Sequence, residues 1–243
     1  MRKDFLKYGN LVAFITVVVF NILAATGVLG GIKTGEVSEM YKSLLAPADY
    51  AFSIWSVIYI LLAIMVYRQM TNNNIRDKIG YWFFISCILN VAWIFAWQLK
   101  NITLSFILIS ILLLDLLMLM RATKDADAMT NMAVGLYTGW INIAMLANLG
   151  TLFIRYNWHL FGMSAGAAAV IGLVFGWFWI GFFIFAYSNI FYAVGACWGY
   201  MGILVGSQVL SIRVMAIIGI VIFVLSTIFV IIRKKGIDAE CKC

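Results

Sequence analysis

Eight long apolar runs constrain this chain more than any other feature. They cover residues 11–29, 51–70, 79–97, 102–120, 132–153, 161–187, 190–208 and 214–232. Each is long enough to cross a hydrocarbon core of about 30 Å as a helix. In lipid every backbone N–H and C=O must be paired within the segment or around a closed barrel. Barrel strands would read as segments of about ten residues with alternating apolarity, whereas these runs are apolar on all sides. The composition agrees, with 65% hydrophobic and 11% charged residues, where a soluble domain carries about a quarter charged. Lipid is therefore the solvent for most of the outer surface. The expected fold class is an all-α integral membrane protein with about eight transmembrane helices.

The first run follows Arg2, Lys3 and Lys7 and so mimics a signal peptide. Its length exceeds a usual secretory apolar core, and it reads as an uncleaved first helix. The net charge of +7 does not point to nucleic acid, because most basic residues sit in short loops and at the two ends. With eight spans, twelve of the 17 Lys and Arg residues fall on the side of the termini and five on the other. That bias places both termini in the cytoplasm. The weakest boundary is Ser188-Asn189; one bent helix there would reduce the count to seven and move the C-terminus outside.

The longest polar linker, 30–50, carries Glu36, Glu39, Asp49 and the only proline, Pro47. It is long enough to fold over the mouth of a bundle as a lid, although a plain connector is equally compatible. Pro47 suits a position ahead of a helix, and Asp49 is placed to cap the second run. Within the runs, Gly135 and Gly139, Gly172 and Gly176, and the stripe Gly195, Gly199, Gly202 and Gly206 permit close helix approach. The neighbour is either in the same chain or in a second subunit, which would make a homodimer. Asn90, Asp115, Asn142 and Asn148 are polar residues that lie within or near the ends of runs. Asp115 is the one acid well inside a run, and should face the bundle interior or water, either as a ligand or proton-linked group or as a bond between helices. Trp82, Trp97 and Trp158 fall near run ends as interface anchors, while Trp55, Trp93 and Trp140 sit deeper. Cys87 and Cys197 lie inside runs as small core residues, and Cys241 and Cys243 form a reduced tail.

Gly30 to Thr34 lacks the glycine directly before lysine that a phosphate-binding loop needs. A single histidine, His159, and few internal acids leave little for acid–base or metal catalysis. The expectation is a protein without a required cofactor and without a metal site. An enzyme is the minor reading.

Three motifs bear on function. The stretch 46–59 reads Ala-Pro-Ala-Asp-Tyr-Ala-Phe-Ser-Ile-Trp-Ser-Val-Ile-Tyr; 89–93 reads Leu-Asn-Val-Ala-Trp; and Tyr137-Thr138-Gly139-Trp140 is followed by Ala144 and Asn148. In order and separation they resemble the entry to the second helix, the third helix and the fifth helix of the tryptophan-rich sensory (TspO/MBR) family. Where the family has prolines, this chain has Ser53-Ile54, Phe95 and Leu136, so proline kinks would be missing. The resemblance covers about 11–156. The last three runs, with Cys197-Trp198-Gly199-Tyr200-Met201-Gly202-Ile203, look like longer bacterial members.

The resemblance implies a five-helix TspO-like core at 1–156 and a three-helix extension with a short basic tail at 157–243. It implies a bacterial cytoplasmic (inner) membrane and a pocket beneath the first long loop for a tetrapyrrole (porphyrin or haem) or a sterol-like molecule. The ligand-binding candidates carried over are Tyr50, Phe52, Trp55, Asn90, Trp93, Trp140, Ala144 and Asn148. Lys33 and Lys42 would meet propionate groups. The implied function is a receptor or sensor. A small transporter or permease for such a ligand is the second reading. A structural or regulatory partner protein, docking through the glycine stripe at 195–206, is the third.

Overall fold

The computed structural model describes residues 2–41, 43–157 and 162–240, which form helices and turns with no strand. The helices are α1 (Arg2–Ala25), α2 (Thr34–Tyr41), α3 (Ile54–Gln69), α4 (Asn73–Gln98), α5 (Ile102–Ala122), α6 (Ala128–Arg155), α7 (Ala165–Tyr187), α8 (Ile190–Gly206) and α9 (Leu210–Glu240). A 3₁₀ turn, Asp49–Ser53, leads into α3 at the point where the TspO/MBR motif would hold its prolines. Among the described residues, eight of the nine α-helices coincide with the apolar runs; α2 belongs to the lid. The chain is thus an all-helical membrane protein.

Among the described residues seven helices are long and apolar enough to cross a bilayer, and α8, at 17 residues, is shorter. At 1.5 Å per residue α8 spans about 25 Å. It is nonetheless a separate helix, because the chain reverses at Ser188-Asn189. Ser188 adopts the left-handed conformation at φ 52°, and the Asn189 side chain caps α8 by accepting from the N–H groups of Phe191 and Tyr192 at 3.0 and 3.3 Å. The far end of α8 is covered by protein: the Ala48 N–H donates to the Gly202 carbonyl at 2.9 Å, and the lid backbone at Ala48 lies against Gly206. The lid replaces the missing turn.

Polar contacts define two ends of the bundle. At one end the Gln69 amide donates to the Lys7 carbonyl at 3.1 Å, Arg68 pairs with Asp127, the Asn189 amide donates to the Asn131 carbonyl at 3.0 Å, and the Lys234 ammonium donates to the Ser188 carbonyl at 3.2 Å. At the other end lie the lid, the α4–α5 turn and the start of α7. Asp127 also caps α6 through the Met129 and Thr130 N–H groups. Burial works against its charge, but the Arg68 and Thr130 contacts outweigh it and hold the carboxyl below its ordinary value. That contribution is present above the unfolded carboxylate range and is lost as pH falls through the lowered value.

Helix α6 is buried along most of its length, between α3, α5, α7 and α8. Its tightest neighbour is α8. A β-carbon on Gly139 would lie 2.3 Å from the Tyr192 carbonyl oxygen, and one on Gly195 would lie 2.7 Å from the Leu136 carbonyl oxygen. Gly199 meets Ile143, Gly202 meets Pro47 and Ala51, and Gly206 meets Ala48. The glycine stripe is therefore filled by α6 and the lid of the same chain, which leaves it closed to a second subunit or a docking partner. Asn142 adds a side-chain bond, accepting from the Trp179 indole of α7 at 3.0 Å.

Helix α4 begins at Asn73, ahead of the run expected at residues 79–97, and the extra turns are set off near the start of that run. It breaks at Gly80, where φ is 46° and ψ −140°. Asn10 of α1, fully buried, donates to the Gly80 carbonyl at 3.5 Å and to the Gln69 side chain at 3.1 Å. A polar side chain thus reaches the backbone that the break frees.

Gly139→Ala is expected to lower the thermal stability of the detergent-solubilised protein by about 1–3 kcal/mol. Gly181 has nothing within 4 Å of its β-carbon position, so Gly181→Ala is expected to be neutral or slightly stabilising. Melting curves of the two variants, side by side, check the pair.

Candidate functional site

The lid is fixed from two sides. On one side the Gln98 amide donates to the carbonyls of Ala24 at 3.2 Å, Leu29 at 2.8 Å and Ile32 at 2.8 Å, and the Trp97 indole donates to the Thr34 carbonyl at 3.2 Å. Gly30, at φ 81°, rests against the Gln98 backbone, where a β-carbon would approach the Gln98 carbonyl oxygen to 3.0 Å. Trp97 is 4% exposed; it is a buried strut of the lid and not an interface anchor. On the other side the Trp198 indole donates to the Ala51 carbonyl at 2.8 Å. Trp82 is exposed, as an anchor would be. Trp158, His159, Lys42, Cys241 and Cys243 lie outside the described residues.

Beneath the lid is a cavity of about 600 Å³ bounded by α1, α2, α3, α4 and the 3₁₀ turn. Its apolar walls are Ile22 and Ala25 of α1, Phe52, Trp55 and Tyr59, and Ile94 of α4. Its polar lining comes from Asn21, Ser56, Thr34 and the charged groups Lys33, Glu36, Glu39 and Asp49. That volume falls in the range of small-molecule sites, about 300–1,000 Å³. Asp49 does not cap α3, whose N-cap position is Ser53, and it lines the cavity.

Trp55 is the centre of the aromatic wall. It stacks on Tyr59 at 5.3 Å between ring centroids and meets Trp93 at 6.2 Å, Tyr137 at 6.0 Å and Trp140 at 6.3 Å. The Phe52 ring meets the edge of Trp140 at 5.8 Å. The tilted and edge-on geometries favour aromatic quadrupoles.

Of the eight carried-over candidates, Phe52 and Trp55 line the cavity. Trp93, Trp140, Asn90, Ala144 and Asn148 form a layer behind it. Asn90, fully buried, accepts from the Asn21 amide at 2.8 Å and donates to the Tyr137 hydroxyl at 2.9 Å. Asn148 accepts from Ser105 at 2.7 Å and from the Trp93 indole at 3.5 Å, and donates to the Ala144 carbonyl at 2.9 Å. These amides fix the aromatic residues from behind. Tyr50 is turned outward, against Trp198 at 5.6 Å. Asn21, Tyr59, Glu36, Glu39 and Asp49 line the cavity but were not among the candidates. Asn21 had a signal, since it lies on the first run near the end that enters the lid.

A model of the family described as TSPO-like protein matches residues 7–229. The chain belongs to the TSPO-like family. The match runs from α1 into α9, so it takes in the helices beyond the five-helix region as well as the core. No curated protein and no solved structure matches the chain. In this TSPO-like chain the described residues include no group of three His, Cys, Asp or Glu side chains able to hold a metal ion.

Asp115 of α5 stands apart from the cavity. It is 6% exposed, and neither carboxylate oxygen has a hydrogen-bond partner among the described residues. Its electrostatic neighbours are Cys87 and Tyr137. It does not bond two helices, unlike Asn90 and Asn142. An unpartnered buried polar group costs stability. Leucine has the same branching, so Asp115→Leu is expected to raise the melting temperature in detergent, by the equivalent of about 1–3 kcal/mol. A fall of several degrees in the melting curve would mean that the carboxyl has a partner.

Proposed function

We propose that this protein is a membrane receptor that binds a flat hydrophobic molecule, such as a tetrapyrrole or a sterol-like compound, in the cavity beneath its lid. One observation carries the reading: a cavity of about 600 Å³ in a TSPO-like chain, walled by the stacked rings of Trp55 and Tyr59 and roofed by a lid pinned at both ends. Stacked rings offer a broad apolar surface at little conformational cost, and the polar lining around them fixes orientation. The basic residues cluster at the end of the bundle opposite the lid, which favours cytoplasmic termini and a lid on the far side of a bacterial inner membrane. Membrane lipid and the hydrophobic ligand are then the partners. The homodimer, if formed, would use a surface other than the glycine stripe.

Titration with protoporphyrin IX, followed by tryptophan fluorescence, tests the proposal. Quenching is expected to saturate at low micromolar ligand. Trp55→Ala is expected to weaken binding about tenfold, the equivalent of about 1.4 kcal/mol, whereas Tyr50→Ala, which removes an outward-facing ring, leaves it unchanged. Quenching that stays linear with ligand concentration in both variants and in the parent would mean partition into the detergent and no pocket.

A further inference from the structure

The charge around the cavity does not match a ligand that carries carboxylates. Three acidic side chains, Glu36, Glu39 and Asp49, line it beside one ammonium group, Lys33. Glu36 is partly engaged, since it accepts the Lys33 backbone N–H at 2.8 Å. Glu39 and Asp49 have no hydrogen-bond or ion-pair partner among the described residues. They come from different elements, α2 and the 3₁₀ turn, so the lid brings them to one cavity. Deeper in, the Tyr59 hydroxyl is buried without a partner, and Phe52, Trp55 and Tyr59 present ring surface. Aromatic faces attract cations through their quadrupole. Carboxylates at the rim add to that attraction and repel anions.

Resting on the pocket reading above, we infer that the cavity takes a flat apolar molecule bearing a positive charge, an amphipathic amine, in preference to one bearing carboxylates. The apolar body lies against Trp55 and Tyr59, and the ammonium remains at the rim near Glu39 and Asp49. Lys33 alone does not offset three carboxylates, so a dianionic ligand meets net repulsion at the mouth.

A charge series on one ring system tests this. The probes are protoporphyrin IX, its neutral dimethyl ester, and its diamide with N,N-dimethylethylenediamine, which is doubly protonated at neutral pH. Each is titrated against the full chain in non-ionic detergent, by tryptophan fluorescence. The diamide is expected to bind about tenfold more tightly than the diacid, with the ester between them. In Glu39→Gln/Asp49→Asn the three affinities should converge to within about twofold, as the two attracting charges are gone. Both positions are exposed on the rim, so the variant is expected to fold. Raising the salt on the parent protein reads the same interaction independently, and should narrow the gap by screening exposed charges. A diacid that binds as tightly as the diamide, or an order that survives both the substitutions and the salt, overturns the inference and leaves the pocket intact. Absence of saturable binding by all three overturns the pocket reading itself and this inference with it.

Discussion

The approach of α6 to α8 at Gly139 and Gly195 is the contact on which the rest of the structure depends. Lipid tails offer helices no hydrophobic reason to associate, so close van der Waals contact and interhelical hydrogen bonds must do it. With no side chain at either position, backbone meets backbone. That approach places α8 where Gly202 accepts the lid's Ala48 N–H and Trp198 reaches the Ala51 carbonyl. Moving α8 outward by the width of a methyl group would withdraw both supports. The 3₁₀ turn that carries Asp49 and Phe52 into the cavity would then lose its fixed position.

The opposite edge of the lid depends on one amide. The Gln98 side chain gathers three carbonyls from the end of α1 and the start of the lid. Ala24 lies in the last turn of α1 and Leu29 and Ile32 follow it, around a helix end where several acceptors have no intrahelical partner. A single side chain from α4 meets that need, and in doing so sets the path by which the chain enters α2. The cavity therefore sits between two anchors, one on α4 and one on α8, which are far apart in sequence. The unbroken family match from α1 into α9 is consistent with this division of labour.

The helices were legible in the sequence because lipid imposes a length and an apolarity that few other structures share. The boundary at Ser188-Asn189 was the least certain, since two apolar runs separated by two residues read much like one. Asn189 settled it through its side-chain cap, a local bond that hydropathy does not register. The turns of α4 ahead of Gly80 were not legible for a similar reason: they are mostly polar, and the residue that answers the break, Asn10, is distant in sequence. The motif residues did gather in one region, around Trp55. Which of them touch the cavity depended on rotation about each helix axis, so that Trp93, Trp140 and Asn148 stand behind Trp55 and Phe52. The acidic lining was hidden because Glu36, Glu39 and Asp49 read as ordinary linker charges until the lid folded back over α1 and α3.

Ile22 of α1 and Ser56 of α3 both line the cavity and are both exposed, near the lid end of the bundle. Both belong to helices long and apolar enough to cross a membrane, so the cavity is walled in part by candidate membrane spans. For an apolar solute, the supply on that side is whatever is dissolved in the membrane, where it is enriched far above its level in water. For the ligand proposed above, occupancy would then follow the mole fraction of solute in the lipid. Doubling the amount of bilayer at constant total solute would halve the apparent affinity without altering a single contact.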